Sequence, residues 1–137
     1  MKLHGTQTHA NLKRAFEVES AASVMYRWSA QQANVEGQPD VAKHFNAIAE
    51  VKVGQGIGHL EYLVEAGDLA SGVSLGDAVD NLEAARAAEA AKHNDLYPAF
   101  AAVARDEGLE EIAEWLDSVT RANETHAAGF AEIEIEP

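Results

Sequence analysis

Two stretches of this chain repeat each other about seventy residues apart, and the repeated unit reads as a pair of helices. Asn11-Leu12 and Glu19 recur as Asn81-Leu82 and Glu89, while Glu36-Gly37, Phe45, Lys52 and Gln55 are answered by Glu107-Gly108, Leu116, Asn123 and His126. A duplicated helix pair that closes on itself makes a four-helix bundle, so the repeat predicts an all-α fold. Val, Ile and Thr never gather into alternating runs, and no strand is expected. At 137 residues the chain suits one domain, 1–137.

Taken in order, the first helix is predicted from about His9 to Gln32, with an inward stripe of Leu12, Phe16, Glu19, Ser23, Tyr26 and Ala30. A short connection, Asn34 to Pro39, leads to a second helix from about Asp40 to Ala66, striped by Val41, Phe45, Ile48, Lys52, Gln55 and His59. Gly54, Gly56 and Gly58 interrupt it, each weakening a helix by roughly 1 kcal/mol relative to Ala, which leaves close packing against another backbone, a kink, or relaxed selection after loss of a function as alternatives. The link from Gly67 to Val79 can extend about 43 Å, the length of the second helix. It predicts a long crossover that leaves the second and third helices parallel. Asp80 and Glu83 resemble a capping box for the third helix, with a start one turn earlier at Gly76-Asp77 as the alternative. That helix continues past Pro98, where a kink or loosening is expected. Asp106-Glu107-Gly108 break the chain, and the fourth helix runs to about Phe130 with the stripe Ile112, Leu116, Val119, Asn123, His126, Phe130. The acidic tail AEIEIEP is expected to fray.

Charges stand where apolar residues belong. The third-helix stripe is Leu82, Ala85, Glu89, Lys92, Leu96, and a lone charge on such a stripe costs on the order of 3 kcal/mol or more unless paired or bound to a metal. Every stripe is polar at mid-length: Glu19; Lys52 and Gln55; Glu89 and Lys92; Asn123 and His126. All four can meet at one level of a bundle. With no Cys in the chain, thiolate zinc sites, iron-sulfur clusters and a cysteine nucleophile are excluded, and a metal would be held by Glu, Asp and His. A net charge of −13 disfavours nucleic acid and anionic membrane as partners. MKLHGTQTHANLK lacks a signal-peptide core, no apolar run spans a bilayer, and a cytoplasmic location is expected. His4, His9, His44 and His93 read as surface residues, Tyr26 as a core aromatic, Trp28 and Trp115 as packing or interface residues. Ala-rich helices such as AAEAAK and AAVAR are compatible with a homodimer and equally with tight internal packing.

NLKRAFEVES is similar to the first-helix motif of the rubrerythrin branch of the ferritin-like proteins. AEAAKHNDLYPAFAAVARDEGLEEIAEW resembles the segment around that family's third-helix ligands, including its Tyr-Pro and Arg-Asp-Glu-Gly turn. The resemblance runs from Asn11 to Phe130 and implies a ferritin-like four-helix bundle. It also implies a diiron centre that reduces peroxide or oxidises ferrous iron. In the family, two helices each give single Glu ligands and two give Glu-x-x-His. Glu19, Glu89 and His126 match. The rest depart: Lys52-Val-Gly-Gln55 stands for the second helix's Glu-x-x-His, Lys92 for a further third-helix Glu, and Asn123 for the Glu of the fourth helix. The Glu residues lost at Lys52 and Asn123 are the family's bridging ligands, so the site reads as degenerate. His59 lies about 6 Å further along the axis than Gln55 and substitutes poorly.

Two ammoniums, Lys52 and Lys92, among two carboxylates, Glu19 and Glu89, sum to zero charge, and each amine fills roughly the volume of a cation. The leading expectation is therefore a non-catalytic member with lysines in place of metals and no resident cofactor. Alternatively Lys92 snorkels to solvent, and Glu19, Glu89 and His126 hold one iron, manganese or zinc ion for peroxide-reducing or ferroxidase chemistry. A core lysine could also serve as nucleophile or base. Redox activity would need an external electron donor, because the family's attached rubredoxin domain is rich in Cys.

Overall fold

The computed structural model describes residues 2–67 and 75–134, and all regular structure among them is helical. The chain divides into two compact units at Val73 and Ser74, which is where the sequence repeat divides it. The crossover expected between the second and third helices falls on residues 68–74, outside the described residues, as does the tail beyond residue 134. No helix among the described residues is long and apolar enough to cross a membrane.

In the first unit α1 spans Gln7–Val35 and α2 spans Pro39–Ala66. Thr6 caps α1 by accepting from the His9 amide at 3.1 Å. The helix continues past the predicted Gln32 because its stop signal is Gly37, at φ +75°. There the Gln38 amide donates to Ala33 O and the Gly37 amide to Asn34 O, a pair of bonds that satisfies the last carbonyls and needs a left-handed residue. Pro39 then opens α2 at a position whose amide has no helical partner. The two helices pack through small residues, Ala30 and Ala33 against Ala42 with Phe45 beside them. Tyr26 tilts onto Phe45 at 5.8 Å between ring centroids, as expected of a core aromatic. Gly56 is buried against Ser20, whereas a methyl group on Gly54 or Gly58 would meet nothing within 4 Å. Close approach thus explains the middle glycine alone.

His9 corrects the sequence reading. It is buried, 4% exposed, and stacks on His4 with centroids 5.3 Å apart. The Gly5 amide donates to its Nδ1 at 3.4 Å, so it is the turn before α1, carrying His4 and Gly5, that folds back onto the ring.

The second unit comprises α3 (Ala78–Ala91), a π-helical turn (Lys92–Leu96), α4 (Tyr97–Asp106) and α5 (Glu110–Glu132). Backbone angles stay helical through the π turn, so α3 and α4 are one long helix with a wide turn in it. Pro98 accounts for the turn: it has no amide for the carbonyl four residues earlier, and the ladder shifts so that the Tyr97 amide donates to Lys92 O. The helix begins with Asp77, whose carboxylate accepts from the Asp80 amide at 2.9 Å. The earlier of the two predicted starts is the observed one, and Asp80 is a first-turn residue. The turn at Gly108 repeats that at Gly37, with Leu109 N to Ala104 O and Gly108 N to Arg105 O.

α5 lies against both α3 and α4, burying Ala113, Asn123 and Ala127. Arg105 fastens the corner. Its guanidinium donates to Glu110 at 3.2 Å and Asp117 at 2.6 Å. The hydrogen bond from Arg105 holds the Asp117 carboxyl below the ordinary aspartate value, and the Arg105 guanidinium is raised in turn.

Candidate functional site

In each unit the polar residues of the inward stripes meet. In the first, Lys52 reaches from α2 to α1, with Nζ 2.6 Å from Glu19 Oε2. The same Nζ donates to Gln55 Oε1 at 3.0 Å, one turn along α2. Both charged side chains are about a fifth exposed, 23% and 21%. Glu19 Oε2 is itself buried and makes no hydrogen bond of acceptable angle, so the contact with the ammonium is held by charge. A half-buried carboxylate tolerates this only because the opposite charge is adjacent.

In the second unit the pair lies along one helix. Lys92 Nζ donates to Glu89 Oε1 at 3.2 Å, three residues away. Glu89 is 18% exposed and Lys92 42%, so the lysine stem covers the helix while its head reaches solvent. Glu89 Oε2 is buried without a hydrogen bond, and His126 Nδ1 on α5 stands 3.7 Å from it. Asn123, one turn before His126, is buried. Glu89, Thr125, His126, Gly129, Phe130 and Ile133 line an open concavity of about 550 Å³ beside this pair.

The structure therefore brings Glu19, Lys52 and Gln55 together in one unit and Glu89, Lys92 and His126 together in the other. Sequence reasoning named all of these, but not how they divide: Lys52 pairs across two helices, Lys92 within one. His59 is half-buried on α2, and His44 and His4 are exposed. Among the described residues, no group of three or more His, Cys, Asp or Glu is placed to hold a metal ion. The Arg105 clamp escaped sequence reading, although Arg-Asp-Glu-Gly followed by acids at 110 and 117 carried its signal.

Two helix pairs, each with a glutamate at mid-stripe, are the arrangement that a ferritin-like helical protein shares. Comparison with known sequences narrows this. The rubrerythrin family profile matches residues 10–52 and 66–134, and the stretch left between them holds Gln55 and the three glycines of α2. Rubrerythrin of Nitratidesulfovibrio vulgaris is 32% identical over 96% of this chain and 71% of its own length. Rubrerythrin of Porphyromonas gingivalis is 33% identical over 90% of the chain and 64% of its own. Rubrerythrin-1 of Clostridium acetobutylicum is 34% identical over 81% and 61%. The chain thus spans roughly two thirds of the length of these relatives. It belongs to the rubrerythrin family, and its fold is the family's ferritin-like four-helix bundle.

Proposed function

We propose that this protein keeps the rubrerythrin bundle but not its diiron chemistry, with the Lys52 ammonium in the place of a cation beside Glu19 and Lys92, whose head reaches solvent, neutralising Glu89 from the rim. The observation that carries this reading is the Lys52 ammonium 2.6 Å from Glu19 Oε2, so near that a metal ion bound to the same oxygen at about 2.0–2.2 Å would meet the ammonium. The donor set agrees: lysine, glutamine, lysine and asparagine at 52, 55, 92 and 123 offer no bridging carboxylate. A pair of cations does not fit these residues. On this reading the chain is a single-domain cytoplasmic protein that works through its surface, and its charge of −13 keeps nucleic acid from being its partner.

Elemental analysis tests this, on full-length protein made in iron- and manganese-replete medium and purified without chelator. A metal content near zero, and no oxo-bridged ferric absorption on aerobic addition of ferrous iron, is the expected result. Two ions per chain would overturn it.

A second reading has its own observation. Glu89 Oε2 is buried without a hydrogen bond and His126 Nδ1 lies 3.7 Å away, a carboxylate and an imidazole that can share one iron, manganese or zinc ion once Lys92 swings outward. Near one ion per chain, lost in His126→Ala and kept in Lys52→Met, would favour this reading and an oxidoreductase fed by an external electron donor.

A further inference from the structure

We draw no further inference here: the strongest candidate, the open concavity beside Glu89 and His126 in the second unit, belongs to the site already described, and nothing in the structure shows what covers it.

Discussion

Lys52 Nζ, on α2, lies 2.6 Å from Glu19 Oε2, on α1, whereas the lysine of the second unit, Lys92, pairs with Glu89 on its own helix. The first contact ties two helices together, and the second ties down one turn.

The two lysines should therefore differ in what they hold together. Lys52→Met leaves a mostly buried carboxylate without its counter-charge, and with both groups about a fifth exposed the cost falls between that of a surface and a buried pair, about 2 kcal/mol. Glu19→Gln in the same chain should restore much of the loss. Lys92→Glu sets a second carboxylate beside Glu89, but its site is 42% exposed, and a cost of about 1 kcal/mol is expected. Thermal melts of the four proteins decide it. An unchanged midpoint in Lys52→Met would remove the stabilising role assigned to the ammonium.

Much of this arrangement was legible in the residues. Stripes at three and four residues gave four helices, and Glu36-Gly37 with Glu107-Gly108 gave both turns, because a left-handed residue at a helix end is a local requirement that glycine meets by itself. That Lys52 and Lys92 would stand among Glu19 and Glu89 followed from stripes sharing a level, but which lysine pairs with which carboxylate did not. What was not legible depends on direction and on contacts made in three dimensions. A stripe says that Lys92 is near Glu89 but not that its head turns to solvent. His9 looks exposed in sequence because its burial comes from the turn before α1, whose His4 and Gly5 fold back onto the ring. Pro98 announced a disturbance, yet the ladder takes it up over Lys92–Leu96, upstream of the proline.

Acid should loosen the α4–α5 corner. The Arg105 hydrogen bond holds the folded Asp117 carboxyl below its ordinary value, so the folded state keeps this carboxylate ionised more readily than the unfolded chain does. Its contribution is complete above the unfolded aspartate value, near pH 4, and is lost as pH falls through the lower folded value. The raised Arg105 guanidinium adds no pH dependence in this range, since arginine stays charged in both states. Asp117→Asn should be less stable than wild type at pH 7, with the gap between their melting midpoints narrowing below about pH 4. A gap of constant size across that range would mean that the clamp does not act through charge.

Capping by Asp77 should be worth about 1 kcal/mol, the usual effect of replacing such a residue by Ala. The Asp80 amide, which donates to it at 2.9 Å, should lose its exchange protection in Asp77→Ala and recover it in Asp77→Ser or Asp77→Asn. Asp80→Ala keeps that amide and its acceptor and should cost less. Hydrogen exchange at residues 78–81 separates the two; equal loss in both variants would mean that first-turn charge, and not the cap, holds the start of α3.

The glycines of α2 permit a gain of stability. Gly54 and Gly58 lie within the helix, without positive φ, and a methyl group on either would meet nothing within 4 Å. Alanine at each should restrict the unfolded chain and add about 1 kcal/mol. Gly56 differs: its Cβ would sit 3.6 Å from Ser20 Oγ, an ordinary contact but one at a buried helix crossing, so Gly56→Ala should gain less. The expected order of melting midpoints is the Gly54→Ala, Gly58→Ala double variant above either single one, then Gly56→Ala, then wild type. A fall in stability at Gly54 or Gly58 would show that another backbone or side chain closes on that face of α2.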